Sequence, residues 1–161
     1  MRFSLPLVVK IVYTYDLRGN RSTQIGGNYN PVITSYSYDV EDQLIMAARG
    51  TVVTDMEYYA DGLRSGKYTA TTSDLYVYDL SGRIVSEADN SGNITANYVW
   101  GPDRVLAKKA TGGREYYYLY NGHGDVVQVV DKNGNIVNNY KYDEWGNILE
   151  SNETISNPFK Y

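Results

Sequence analysis

One internal repeat runs through the sequence and constrains the fold more than any other feature. Its motif is Tyr-x-Tyr-Asp-x-x-Gly-Asn/Arg, and the clearest copies begin at Tyr13, Tyr76 and Tyr140. Four weaker copies lie between these, and the second aromatic residues of the copies fall at positions 15, 38, 58, 78, 100, 120 and 142. The spacing of 20 to 23 residues is typical of proteins in which each unit packs against its neighbours along the chain.

Each copy of the motif predicts a β-hairpin. Side chains alternate between the two faces of a strand, so both rings of Tyr-x-Tyr point to the same face. The following Asp begins a turn by accepting a backbone N–H two residues later, and the Gly supplies a positive φ that ends the turn. Aliphatic residues such as Ile84-Val85 and Ile148-Leu149 then begin the return strand. Two strands per repeat predict about fourteen strands in a continuous antiparallel sheet, so the fold class is all-β.

The residues that define the repeat are the aromatic pair of each strand and the Asp or Gly of each turn. We predict a structural role for them, and we assign no catalytic, cofactor-binding or metal-binding role to any residue. The predicted repeat residues are Tyr13, Tyr15, Asp16, Gly19, Tyr36, Tyr38, Asp39, Tyr58, Gly62, Tyr76, Tyr78, Asp79, Gly82, Tyr98, Trp100, Tyr118, Tyr120, Gly124, Tyr140, Tyr142, Asp143 and Gly146. In the copy at Tyr36, Asp42 stands where a Gly is expected.

The repeats predict one domain over residues 1–161, with no toxin or protease domain in it. The units begin near Tyr13, Tyr36, Met56, Tyr76, Tyr98, Tyr118 and Tyr140. Second turns join successive hairpins, at residues 89–93 and 131–135. The latter contains Asn133-Gly134, a pair typical of tight hairpin turns.

Tyrosine is the unusual component of the composition, with 18 residues against two Phe and two Trp. No single hairpin can bury its tyrosine face, so neighbouring hairpins must lie side by side with their rings in ladders. A tyrosine ring packs while its hydroxyl stays hydrated or binds a neighbour. We therefore expect a half-wet lining of a large sheet curled around space, rather than a dry sandwich core.

Composition also excludes several classes of function. The chain has no Cys and a single His, which excludes disulfides, Cys-ligated metals, a Cys nucleophile and a multi-histidine site. A net charge of −4 argues against nucleic acid as a partner. No stretch has the roughly 18 apolar residues of a membrane span. The apolar run near the start lacks a small-residue cleavage site, so it predicts a first strand from Leu5 to Val12 rather than a signal peptide.

Two polar clusters have both a chemical and a structural interpretation. His123 beside Asp125 could act as a general base, but it lies between two glycines, which favours a turn. The Asp131-x-Asn133-x-Asn135 pattern resembles half of a calcium loop, but its Gly falls one place early and no Glu closes a loop of twelve. We therefore expect turn capping at both places. We also expect Arg21, Arg64 and Arg83, just after turn glycines, to lie on the outer face and pair with turn aspartates.

The repeat resembles the YD repeat of Rhs proteins over essentially the whole chain. The stretch from Tyr140 through Asn157-Pro158-Phe159-Lys160-Tyr161 is similar to the segment just before the end of the Rhs core. The family includes bacterial Rhs and wall-associated polymorphic toxins, the C component of insecticidal toxin complexes, and animal teneurins. In such proteins YD repeats form a spiralling sheet that closes into a hollow shell, which in bacterial members encloses a C-terminal toxin domain.

The resemblance implies a non-catalytic section of such a shell, without a cofactor and secreted or displayed at a cell surface. Its implied partners are the rest of a shell, another copy of the chain, or an enclosed toxin segment. Unpaired sheet edges are templates for association, so we expect dimers or larger oligomers through the edges. The alternative is a module that binds carbohydrate or a cell surface by stacking sugars on the tyrosine ladders.

Overall fold

The computed structural model describes residues 10–26 and 32–160, and every regular element in them is a β-strand. Fourteen strands pair in chain order, each antiparallel to the one before it. The predicted all-β fold of continuous antiparallel hairpins is therefore confirmed. Most of the predicted first strand, from Leu5 to Val9, lies outside the described residues, and the first observed strand begins at Ile11. In the described part of the chain, no helix has the length and hydrophobicity to cross a membrane.

The chain divides into two compact units, of which the first covers Met1–Leu75. Six strands lie entirely within this unit, two in each repeat. A seventh begins in it and ends in the second unit. These strands are β1 (Ile11–Tyr15), β2 (Arg21–Gly26), β3 (Val32–Tyr38), β4 (Leu44–Arg49), β5 (Val52–Tyr58), β6 (Arg64–Tyr68) and β7 (Ser73–Tyr78). Met56 is the one buried apolar side chain among the described residues of this unit.

The second unit covers Tyr76–Tyr161 and holds the remaining strands. They are β8 (Ile84–Ala88), β9 (Ile94–Trp100), β10 (Val105–Ala110), β11 (Arg114–Tyr120), β12 (Val126–Asp131), β13 (Ile136–Tyr142) and β14 (Ile148–Glu153). After β14, residues 154–160 form no regular element. The second aromatic residue of every repeat is the last residue of an odd-numbered strand, as Tyr15, Trp100 and Tyr142 are.

The register shifts by one residue beside many of the turns. Thr14 of β1 pairs with Thr23 of β2, whereas Tyr15 pairs with Arg21, which leaves Ser22 as the extra residue of a β-bulge. This bulge is separate from the turn itself, in which Asp16 pairs with Asn20 around the left-handed Gly19. Residues directly opposite one another share a face of the sheet, so each bulge sets which residue after the turn joins the aromatic face.

The core of the second unit is built from the first aromatic residues of successive repeats. Tyr98, Tyr118 and Tyr140 are almost completely buried there, together with Val126 and Val129. The expectation of a half-wet tyrosine lining is therefore wrong for this unit. Its rings are covered by residues 156–160, which fold back over them. In the first unit Tyr13 and Tyr15 are exposed, as a half-wet face requires.

Candidate functional site

The turn aspartates act as caps for their own turns. Asp16 Oδ1 accepts the backbone N–H groups of Arg18 and Asn20, at 2.9 and 2.8 Å. The same pair of bonds, to the residues two and four positions later, recurs at Asp39, Asp79, Asp89, Asp131 and Asp143. Hydrogen bonds to the carboxylate stabilise its charged form. The bond from Asn20 N–H accordingly lowers the pKa of Asp16, although partial desolvation opposes the shift.

The turn at Asn133-Gly134 has the same construction as the others. Asp131 N–H donates to Asn135 O at 2.9 Å, and Gly134 N–H donates to Asp131 O at 3.0 Å. Gly134 has a φ of 85°, whereas Asn133 is not among the residues with positive φ. The pair therefore closes a three-residue loop with a bulge rather than a two-residue turn of type I′, which needs positive φ at both residues.

The weaker copies keep the turn with other residues. Tyr59 takes the place of the Asp in the copy at Tyr58, because Tyr59 N–H donates to Leu63 O and Gly62 N–H donates to Tyr59 O. Asn121 takes that place in the copy at Tyr118, where its Oδ1 accepts three backbone N–H groups, including that of His123 at 2.9 Å. Backbone geometry can therefore build the turn where the motif sequence has changed.

The second aromatic residue of a repeat ties it to the repeat before. The polar atom of its side chain donates to a backbone carbonyl in the repeat before. That carbonyl belongs to the first residue of the second strand of that repeat's hairpin. The four bonds are Tyr58 Oη to Leu44 O at 2.9 Å, Trp100 Nε1 to Ile84 O at 2.8 Å, Tyr120 Oη to Val105 O at 2.5 Å, and Tyr142 Oη to Val126 O at 2.9 Å. Phe could not form this bond, and Trp can, which accounts for the aromatic residues found at this position.

The first aromatic residue of a repeat is a core residue in the second unit. Burial is the main cause that raises the pKa of Tyr98 and of Tyr118 well above the usual range. Burial, together with the hydrogen bond to Glu153, raises the pKa of Tyr140 to about 12. These phenols therefore remain neutral at any physiological pH, which suits packing rather than acid–base chemistry.

The arginines after the turns lie on the aromatic face, so the prediction that they lie on the outer face is wrong. Arg21 stacks over the ring of Tyr13 at 4.5 Å from its centroid, and Arg64 over Tyr58 at 5.8 Å. Arg83 lies 5.4 Å from the Trp100 ring, and it also pairs with the turn carboxylate of Asp79 at 2.8 Å. For Arg21 the β-bulge is the reason, because it places Arg21 opposite Tyr15 and hence on the same face. Arg83 lies opposite Asp79 at the end of its turn, and its ion pair with that aspartate is as predicted.

Residues 156–160, called here the Asn-Pro-Phe segment, cover the aromatic face of the second unit. Phe159 meets the ring of Tyr98 edge to face at 4.9 Å between centroids. It meets Trp100 at 5.4 Å and Tyr118 at 6.5 Å in the same manner. Edge-to-face pairs at such distances are favourable beyond the area they bury. Two successive repeats thus form a cage of three rings around Phe159, with Tyr98 and Trp100 from one repeat and Tyr118 from the next.

Polar contacts fix the segment on both sides of this cage. The buried Asn157 donates from Nδ2 to Tyr140 Oη at 3.1 Å, and the buried Lys108 donates from Nζ to Ser156 O at 3.0 Å. Lys160 O accepts from Val126 N–H at 2.9 Å, and it shares the single Tyr142 hydroxyl proton with Val126 O, at 2.7 Å from Tyr142 Oη. The segment is therefore held at its side chains and at its backbone.

An ion pair completes the attachment. Lys160 Nζ lies 2.7 Å from Glu153 Oε1 and 5.5 Å from the centre of the Tyr140 ring. Partial burial raises the pKa of Glu153, but the hydrogen bonds from Lys160 and Tyr140 outweigh it and leave the pKa below its usual value. The carboxylate is therefore charged at neutral pH and can hold the Lys160 ammonium.

The two polar clusters with a possible chemical role lie in turns. His123 is exposed, and Asp125 Oδ2 accepts from the Asn121 side chain at 2.8 Å. Asp131 directs Oδ1 to its own turn N–H groups and Oδ2 to Asn135 Nδ2 at 2.9 Å. Over residues 10–26 and 32–160, no three His, Asp or Glu side chains group closely enough to hold a metal ion. The hydrogen bonds within these two turns agree with the expected turn roles.

Several residues that build the cage have no signal in the repeat. Lys108, Asn138 and Asn157 are buried polar side chains outside the motif. Asn138 Oδ1 accepts the N–H groups of Thr154 and Ile155, at 3.0 and 3.2 Å, and so turns the chain towards the cage. The sequence signal that could have pointed to the cage is Phe159, one of only two Phe in the chain, because it breaks the tyrosine pattern.

Comparison with known proteins gives structural matches only. No family model matches the sequence, and no curated protein matches it. The fold is similar to the crystal structure of TcdB2-TccC3 without its hypervariable C-terminal region, with a TM-score of 0.52 and 14% identity. It is similar to the crystal structures of TcdB2-TccC3 and of TcdB2-TccC3-Cdc42, with TM-scores of 0.51 and 0.50 and identities of 14% and 15%.

Each of these matches covers 86% of this chain and 9% of the matched chain. The chain thus spans about a tenth of the length of the proteins whose fold it shares. At such low identity the likeness concerns the fold, and that fold is the one that the tyrosine motif predicts. The chain therefore has the fold of a YD-repeat protein.

Proposed function

We propose that the chain is a non-catalytic structural scaffold, a section of a YD-repeat shell formed by one array of seven repeats. The observation that carries this proposal is that 86% of this chain, a sheet of fourteen chain-order strands, matches 9% of a much longer chain of similar fold. The bonds from Tyr58, Trp100, Tyr120 and Tyr142 to the preceding repeats support it, because a contact of this kind can recur at every step of a longer array. The larger shell would be the chain's main partner.

The placement of the polar groups supports a role without catalysis. The turn carboxylates direct an oxygen to backbone N–H groups of their own turns, as Asp79 and Asp143 do. The backbone of the sole histidine, His123, is likewise bound within its turn. General acid–base work needs such groups to converge on a substrate, whereas these cap separate turns.

The edge of β14 is the surface that would join the next part of a sheet. Among the described residues β14 pairs with β13 alone. Thr154 N–H donates to Val137 O at 3.1 Å, and antiparallel bonding alternates from there, so the N–H of Ser151 points away from β13. An outward row of unpaired N–H and C=O groups is a template for another strand.

Association in solution tests this proposal. We expect the chain to form dimers or larger species in size-exclusion chromatography with light scattering, and small-angle scattering to show an extended or hollow particle. Ser151→Pro removes the outward N–H without touching the ladder to β13, so it should reduce the association, whereas Ser151→Ala should not. A monomer of radius about 15 Å, the usual value for a globular chain of this length, would contradict the proposal.

In a complete protein, we propose that this section would help to enclose a toxin segment and would act outside the cell that makes it. Both ideas rest on the family resemblance and on the shared fold. Protease protection of a downstream segment fused to the full array would test enclosure directly.

Carbohydrate binding is the second candidate, and the exposed aromatic residues of the first unit favour it. Tyr13 and Tyr15 are 41% and 59% exposed on one face of β1. Exposed aromatic rings can stack on the apolar face of a sugar. Titration of the chain against a glycan panel with tyrosine fluorescence as the readout would test it. Binding lost in Tyr15→Ala supports this candidate, and no binding to any glycan contradicts it.

A further inference from the structure

The aromatic face of the second unit has the construction of a peptide-binding site, and the Asn-Pro-Phe segment is its ligand. Phe159 enters a cage of three rings at 4.9, 5.4 and 6.5 Å between centroids. Four residues of the segment, Ser156, Asn157, Phe159 and Lys160, bind the face through a side chain or a backbone carbonyl. Such a division into one partly buried aromatic anchor and flanking polar contacts is typical of peptide recognition.

The polar contacts select for particular residues of the peptide. The Asn157 amide donates to Tyr140 Oη at 3.1 Å and to Phe159 O at 2.6 Å, which fixes the bend at the intervening Pro. Asn157 Oδ1 accepts the Phe159 N–H at 3.1 Å, so the amide is used on both sides. The Lys160 ammonium meets Glu153 at 2.7 Å. A ligand of this site therefore carries Asn, an aromatic ring two residues later, and then a cation.

The repeats supply the groups that contact the segment. Lys108 is 7% exposed and donates from Nζ to Ser156 O at 3.0 Å, which is a charged group aimed at a peptide carbonyl. The rings of the cage are set by the repeats themselves, since Trp100 is fixed by its bond to Ile84 O. A cavity of about 120 Å³ lies beside Phe159, on the side of Trp100, Tyr120 and Val126.

We propose that this aromatic face is a recognition site for Asn-Pro-Phe-Lys peptides, and that the segment of a second copy of the chain can occupy it in place of the chain's own. A tethered ligand has an effective concentration in the millimolar range, so the internal segment excludes an external one until it is displaced. The site thereby offers a way to link copies of the chain that differs from strand pairing at the β14 edge. The proposed recognition does not depend on whether the chain is part of a shell.

Peptide rescue tests the proposal. The full chain would carry Trp145→Phe, which removes an exposed tryptophan and leaves Trp100 as the only one. Adding Phe159→Ala should shift the Trp100 emission to the red, because the ring that covers it is lost. A capped Ile-Ser-Asn-Pro-Phe-Lys peptide should then restore the emission in a saturable manner. The same peptide with alanine in place of phenylalanine should bind at least tenfold more weakly.

Two controls keep the test decisive. A chain with its own Phe159 intact should bind the peptide at least tenfold more weakly than the Phe159→Ala chain. Phe159→Leu retains volume in the cage and serves in place of Phe159→Ala if circular dichroism shows that the alanine variant is unfolded. A folded variant whose emission the peptide does not restore, or restores equally well without its phenylalanine, would overturn the proposal.

Discussion

Asp42 has the same left-handed backbone conformation as Gly19, which occupies the same position in the corresponding turn of the preceding repeat, with φ of 65° and 88°. It is the one residue other than glycine with a positive φ among the described residues. Its carboxylate binds the preceding turn, through Asn20 Nδ2 at 2.6 Å and Arg18 at 3.0 Å. A contact between neighbouring turns thus accompanies the loss of the glycine.

Replacing Asp42 separates the backbone cost from the value of this contact. Asp42→Ala and Asp42→Gly both lose the carboxylate, but only glycine relieves the left-handed strain. We expect Asp42→Gly to be more stable than Asp42→Ala by about 1–2 kcal/mol in urea unfolding followed by circular dichroism. The lost exposed ion pair should cost each variant at most about 1 kcal/mol. Equal stability of the two variants would show that the turn relaxes without the glycine.

The bond between Tyr120 and the preceding repeat gives a second prediction. Tyr120→Phe leaves the carbonyl of the buried Val105 without its donor, so we expect a loss of about 1–2 kcal/mol. Tyr117→Phe is the matched control, because Tyr117 lies on the same strand, is 42% exposed and donates to Glu115. That control should change the stability by less than about 0.5 kcal/mol. Similar losses in both variants would mean that the bond to Val105 contributes no more to the free energy of unfolding than the exposed bond of Tyr117.

The strands and turns could be predicted because their causes are local. A Tyr pair, an Asp and a Gly within eight residues determine one hairpin, and three clear copies with four weaker ones repeat that information along the chain. The position of Arg21 was mispredicted for a local reason as well. The bulge after the turn removes one residue from the register, and simple alternation does not include it.

The cage around Phe159 could not be predicted because its contacts are distant in sequence. Lys108 and Ser156 are 48 residues apart, and the repeat carries no information about that pairing. Burial of Tyr98 and Tyr118 depends on the same segment, so the tyrosine count indicated a half-wet face where the structure has a covered one. The motif determines which face the rings share, and a segment outside the motif determines whether that face is dry.

The turn carboxylates predict a loss of stability in acid. The pKa values of Asp16, Asp79, Asp89, Asp131 and Asp143 are lowered by hydrogen bonds within their turns. A carboxyl whose folded pKa lies below its unfolded value stabilises the fold above that unfolded value, about 3.9, and loses this contribution as the pH falls through the folded pKa. We therefore expect the urea midpoint to be level near neutrality and to fall steadily below about pH 4.

A swap of two residues tests the turn as the source of this effect. In the turn at Asn121 the pair is reversed, since Asn121 Nδ2 donates to Asp125 Oδ2 at 2.8 Å, whereas Asn147 donates to Asp143 at the same distance. Asp143→Asn alone should destabilise its turn, and the double variant Asp143→Asn with Asn147→Asp should recover most of the loss at pH 7. A double variant no better than the single one would contradict this account of the turn.

Asn138 binds the backbone of the residues that lead into the Asn-Pro-Phe segment, and its removal gives the last prediction. It is 1% exposed, it accepts the Ile155 N–H, and its Nδ2 donates to Ile155 O and Tyr140 Oη, each at 3.0 Å. Asn138→Ala leaves these buried groups unpaired, so we expect a loss of about 2–3 kcal/mol. The Trp100 emission should also shift to the red, because Phe159 follows Ile155 out of position. Asn152→Ala, on the neighbouring strand and exposed, should do neither. A stability loss in Asn138→Ala without the shift at Trp100 would mean that the segment is held by its cage contacts alone.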